Sequence, residues 1–458
     1  MSKIEVNTVE PQCGTTLTLG GSGDTVALAS GASQTGFGRT GTVDWDTSIH
    51  TGTVTAATGK GYFVNTTSGG ITVNLPAAAV GSIVAVSDYA STSASNNILI
   101  EPNGSDKING VNDGYSMSTN GLAVTLVYAD ATRGWKSVTG SDADATGLAP
   151  AWVTATGGTP CAGATCGDYK IHTFTGPGTL VVSCGGNPLG NDKIDYLVVG
   201  GGGSGGAYVS SFPGSAGGGG AGGFRESVPS PAAWTASPLA SPAGAVPVTA
   251  TPYPIVVGGG GAAVGPGVPG QGNKGNDSSF STITSTGGGY GGNFPGSPGN
   301  CGGPGGSGGG GGGTGGPATV GGTGNDPPTS PAQGKDGGDA VPAPAAPDYG
   351  TGGGGGATEE GVDGTTTAGG RGGAGATTCI STSPVAYAGG GGGSTCGGGG
   401  TVGAASPCGT GGAGSKTPGA AGSGTTNRGG GGGGHGAVSG EISGAGGSGI
   451  VIIRYKFQ

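Results

Sequence analysis

The stretch Asp195–Gly206, DYLVVGGGGSGG, decides how this chain is read. A strand-like apolar run ends at Val199 and gives way to a train of glycines. Gly201, Gly203 and Gly206 satisfy G-x-G-x-x-G, a pattern that holds a pyrophosphate between a strand and a helix. That use requires an amphipathic helix after the glycines. The chain continues AYVSSFPGSAGGGGAGGF, where Pro213 and a second glycine run forbid one. Glu226 follows at the distance of a ribose-binding acid, but in FRESVPSP rather than at the end of a second parallel strand. The other phosphate motif fails as well, because TGGAGSKT (Thr410–Thr417) carries Thr and Ser where G-x-x-x-x-G-K-[ST] needs Gly. The glycines need another explanation.

Composition narrows it. Of 458 residues, 120 are Gly and 30 are Pro, with only 9% charged and 5% aromatic. Residues 1–150 hold 21 of the glycines and the remaining 308 residues hold 99, so a boundary falls near 140–168. The net charge of −9 and the scattered Lys and Arg argue against a nucleic-acid or anionic-membrane footprint. The opening MSKIEVNTVE has no apolar core of a secretory signal, and no apolar run approaches a membrane span, so a soluble, cytosolically made chain is expected. Eight cysteines are too sparse for a disulfide scaffold. Small buried thiols are expected, with a local Cys161–Cys166 bridge as the alternative.

Organisation follows from periodicity. Residues 1–45 are short alternating apolar pieces that cannot bury a face alone. Residues 46–140 carry GYFVNTT, GITVNLP, SIVAVSDY, NNILIEP, LAVTLVYAD and GWKSVTG, separated by turn residues, and predict a β-sandwich module. Residues 141–167 read as a linker. From 168 to 458, strands at YKIHTFTGPGTLVVS, KIDYLVV, YPIVV and SGIVIIRYKF bracket repeated glycine runs joined by polar or Pro-rich turns. The fold class expected is all-β throughout.

The runs violate collagen's every-third-Gly rule. A flexible linker or a disordered tail remains an alternative, though neither explains the bracketing strands. Extended threefold polyglycine II is the ordered solution, with every N–H and C=O pointing outward and in need of a partner. Ordering Gly costs roughly 0.5–1 kcal/mol more than ordering Ala, and a net hydrogen bond returns roughly 0.5–1.5 kcal/mol. The two balance only if nearly every glycine bonds to a neighbouring rod.

With DYLVVGGGGSGGAY, GGGGAGGFRE, YPIVVGGGG, GNDSSFSTITSTGGGYGG and the terminal GGSGIVIIRY in hand, residues 168–458 resemble the glycine-rich receptor-binding module of bacteriophage tail fibres. The SKIEVNTVEPQCGTTLTLGGSGDTVAL opening and the ITVNLP…GWKSV module resemble attachment and shaft parts of such fibres. The resemblance implies a virion-located tail-fibre adhesin and a homotrimer, with residues 1–45 on a tail or baseplate protein and the C-terminal domain on a bacterial surface protein or glycan. It implies no cofactor. In T-even-type phages the glycine-rich adhesin is a separate protein, whereas here anchor, shaft and adhesin share one chain.

Rods expose backbone alone, so contact side chains are expected in the turns: Trp234, Tyr290 and Tyr387 first, then Tyr208, Phe212, Phe294 and Tyr349. Packing against their own rods is the alternative for each. His435 has no second ligand at metal spacing. His50, His172 and His435 are far apart, and Asp336/Asp339 and Glu359/Glu360 sit in glycine-rich turns, so no catalytic constellation is expected. A structural fibre component is the second reading, and a glycan depolymerase the third.

Overall fold

The computed structural model describes residues 43–138 and 151–458, except 188–189, 208–213, 242–243, 266–269, 294–300, 314–318, 343–345, 397–398, 417–418 and 437–440. The expected attachment segment therefore lies outside the described residues as far as residue 42, as do residues 141–150 of the linker. The chain divides into two units, Met1–Ala149 and Pro150–Gln458. No α-helix occurs among the described residues.

The first unit contains β1 (Asp44–His50), β2 (Val54–Thr55), β3 (Lys60–Val64), β4 (Ile71–Asn74), β5 (Ile83–Asp88), β6 (Ile98–Glu101), β7 (Tyr115–Met117), β8 (Ala123–Asp130) and β9 (Gly134–Ser137). They form two sheets, ordered β1-β3-β5-β8-β9 and β2-β4-β6-β7. Up to β6 the chain changes sheet at every strand, so same-sheet neighbours run parallel; β7, β8 and β9 close the sheets antiparallel. Alternation drives this, since Ile71 and Val73 face inward while Thr72 and Asn74 do not. Val64, Val84, Ile98, Leu126 and Trp135 fill the core between the sheets.

The second unit begins earlier than the sequence suggests. β10 (Val153–Thr156) and β11 (Thr159–Cys166) fall in the expected linker, yet β10 pairs with β13 (Gly178–Gly185) and β11 with β12 (Tyr169–Phe174). Burial of Val153 and Ala155 ties this stretch down. Next come β14 (Lys193–Val199), β15 (Phe224–Ser227), β16 (Ala240–Ser241), β17 (Val246–Pro247), β18 (Pro252–Val256), β19 (Ser278–Phe280) and β20 (Ile283–Ser285). Two-stranded pairs follow, β21 (Ala376–Thr378) with β22 (Val385–Tyr387) and β23 (Ser415–Lys416) with β24 (His435–Gly436), before β25 (Ile450–Lys456) ends the framework.

One sheet runs β11-β12-β25-β14-β15-β16 and a second β10-β13-β18-β19-β20. Between them lie Ile194, Tyr196 and Val198 of β14 with Val451, Ile453 and Tyr455 of β25. The alternate residues Leu197, Val199, Ile450 and Ile452 face a separate core with Trp234, Ile380 and Tyr387. β14 is apolar on both faces because both are covered, which is why KIDYLVV lacks a polar alternation.

Glycine rods spring from these strands. Gly201, Gly202 and Gly203 donate to Asn276, Gly447 and Gly220, each at 2.9 Å. Three residues on, Ser204, Gly205 and Gly206 donate to Asn273, Gly444 and Gly217, in the same three neighbouring segments. The repeat of three with partners in three directions is the polyglycine-II lattice. The next rod repeats it: Gly217, Gly220 and Gly223 donate to Gly292, Gly289 and Thr286, while Gly218 and Ala221 donate to Gly352 and Gly355. Close approach makes Gly obligatory at Gly202, where a Cβ would run into the carbonyl group of Gly430.

Candidate functional site

The rods alternate in direction. One leaves β14 at Gly200 and reaches Ala207; the next returns from Ser215 to Gly223 and enters β15. At their far ends Ala207 bridges Gly270 and His435, and Ser215 bridges Gly313.

Side chains appear in the rods where a Cβ has room, and hydroxyls then stand in for backbone partners. Ser394 Oγ accepts the Ala216 N–H at 2.8 Å and donates to the Ala216 carbonyl at 2.9 Å. Thr351 Oγ1 donates to the same carbonyl at 2.8 Å and accepts the Ser394 N–H at 2.8 Å. His435 is fully buried, with Nδ1 2.7 Å from Ser415 Oγ and its backbone N–H on Gly206. Burial pushes the imidazole pKa down, so the ring is neutral at pH 7. Among the described residues no group of three His, Cys, Asp or Glu side chains is placed to hold a metal.

The aromatics singled out in the sequence fare differently. Tyr349 sits at the far end, half-buried, with φ of 50° and its carbonyl accepting the Ser215 hydroxyl. Tyr290 is half-buried inside a rod rather than in a turn, its ring covering Gly303. Trp234 and Tyr387 are a correction: both are buried in the core under β14 and β25, so neither is displayed on a turn as a contact for a cell surface. The reason is local chemistry. Arg454 lies 4.3 Å over the Trp234 ring and Arg428 lies 4.9 Å over the Tyr387 ring, and both aromatics fill space that small rod residues leave beneath the sheet. Tyr208, Phe212 and Phe294 lie outside the described residues.

The thiols differ from expectation too. Cys161, Cys184 and Cys301 are exposed, and Cys161 and Cys166 are both free.

Residues 185–456 match the family model described as a glycine-rich domain, which is more than half of the chain. The chain belongs to that glycine-rich domain family. No curated protein matches it. The matched span of the glycine-rich domain runs from the last residue of β13 to the last of β25, so it takes in the rods and the strand that closes the framework. β10, β11 and β12 precede the match although β12 pairs with β25.

Sequence reading missed Arg428 and the buried pair Asp195 and Glu226. The only cue to Arg428 is an isolated cation opening the run RGGGGGGHG. Burial pushes the Asp195 carboxyl up to about 6 and also raises Glu226, against the hydrogen bonds each accepts.

Proposed function

We propose that this protein is a bacteriophage tail-fibre adhesin: a homotrimer located in the virion, held through its N-terminal segment on a tail or baseplate protein, with the glycine-rich domain on the host surface. Its action is binding rather than catalysis. The observation that carries the reading is the threefold hydrogen-bond lattice, which consumes the rod backbone and leaves recognition to side chains in turns, at rod ends and at open points along a rod. Rods fixed by their neighbours hold those side chains at constant spacing, so contact entails little conformational search. Three copies convert weak contacts into avidity.

With Trp234 and Tyr387 buried, Tyr349 is the leading described contact, and Tyr290 contributes from the side of its rod. Purified full-length protein added to bacteria should compete with phage adsorption, and Tyr349→Ser should weaken that competition while the protein stays folded. Failure to compete on a susceptible host, with intact protein, would overturn the adhesin reading and favour a structural fibre component.

A further inference from the structure

A cavity of about 320 Å³ lies beside β25, where the rods that follow Tyr387 and Arg428 begin, and the geometry points to it as a binding site for an acidic sugar residue. Its apolar wall is built from Ile450 and Ile452 of β25, with Val385 and Tyr387 of β22. Thr173, Thr175, Ser381 and Thr426 add hydroxyls to the lining, and Thr173 stands beside Ile452 as its partner across β12 and β25. Arg428 is the one cation among the lining residues, and no carboxylate joins it there.

The guanidinium lies 4.9 Å over the Tyr387 ring, and Arg428 lines the cavity. Asn427 beside it accepts the Ser448 hydroxyl on its Oδ1 at 2.9 Å, so the amide is oriented before any ligand arrives. In a chain of net charge −9, a half-buried arginine stacked on a ring and unmatched by any acid among the described residues suits an anion. Volume and lining identify which anion. Phosphate would fill a small part of the space and leave the apolar wall uncovered. A pyranose carboxylate fits these features: the carboxylate takes the guanidinium, ring hydroxyls meet the threonines, and the C–H face lies along half-buried Val385 at the edge of Ile450. This site is independent of the adhesin reading, since its probe is a free sugar acid and no cell is involved.

Calorimetric titration of the full-length protein with D-glucuronate, D-glucose and inorganic phosphate tests it. Saturable binding of glucuronate is expected, with glucose and phosphate each at least tenfold weaker, and Arg428→Gln should erase the preference for the acid. Because Arg428 also packs on Tyr387, the folding of that variant is checked by its thermal transition. Thr426→Val, which leaves the stack intact, should by itself weaken glucuronate several-fold without affecting phosphate. Equal binding of glucose, equal binding of phosphate, no binding of glucuronate, or an unchanged Thr426→Val would each overturn the assignment.

Discussion

Asp195 and Arg454 stand directly opposite each other on β14 and β25, yet each makes its hydrogen bonds elsewhere. The Arg454 guanidinium lies 4.3 Å over Trp234 and 4.9 Å over Tyr169, and donates to the Ile380 carbonyl at 3.0 Å. Asp195 instead accepts the Ser227 hydroxyl at 2.8 Å, and Glu226 accepts the Ser237 N–H and the Thr378 hydroxyl. Two acids and one cation thus anchor the strand framework beneath the rods.

Stability should consequently depend on pH through Asp195. Its carboxyl rises from an ordinary 3.8 to about 6 on folding, chiefly by burial, with Glu226 adding to the shift and Ser227 and Arg454 opposing it. A raised acid favours the fold below its unfolded pKa, and this contribution is lost as pH climbs through about 6. Two units correspond to about 3 kcal/mol. Glu226 shifts the same way, whereas buried His172 and His435, with lowered pKa values, weaken the fold as pH falls. Thermal midpoints measured from pH 4 to 8 should therefore show Asp195→Asn gaining on the parent protein as pH rises. Parallel curves would disprove the effect.

The rod lattice predicts a position-specific glycine scan. At Gly202 an added Cβ meets the Gly430 carbonyl group, whereas at Gly259 the nearest atom is the Asn276 side-chain nitrogen at 3.6 Å. Gly202→Ala should cost about 3 kcal/mol or more, the upper range for overpacking. Gly259→Ala should stay within about 1 kcal/mol of the parent in either direction. Denaturant midpoints decide, and similar costs at the two sites would count against the lattice.

Hydroxyls inside the rods should matter as much as core residues. Ser394→Ala leaves the Ala216 N–H without its partner and should cost about 1–3 kcal/mol. Thr425→Ala, at an exposed position, should cost under about 0.5 kcal/mol. Chemical denaturation of both variants provides the comparison.

Trp234 should behave as a core residue. Trp234→Ala is expected to lose about 3–5 kcal/mol, because the indole fills the space between Tyr169 and Arg454. Its thermal midpoint should drop well before any loss of adsorption by the protein that remains folded.

The sequence by itself determined the apolar framework strands, the all-β class and the rods, but not β10 and β11. Runs such as KIDYLVV and IVIIRYKF are apolar enough to be strands in any context, and unbroken glycine can be ordered only by backbone pairing with other rods. Tertiary structure alone decided which rod meets which, because glycines carry no side chain to mark a partner: Gly201, Gly202 and Gly203 are identical in sequence yet bond to segments around 276, 447 and 220. It also decided which aromatics stay available. Trp234 and Tyr387 sit in turn-like stretches, and only the position of Arg454, Arg428 and the underside of β14 and β25 shows that both are buried. The Arg428 cavity belongs to the same class, since Thr173, Ser381, Arg428 and Ile452 are far apart in the chain and meet only when β12, β22 and β25 assemble.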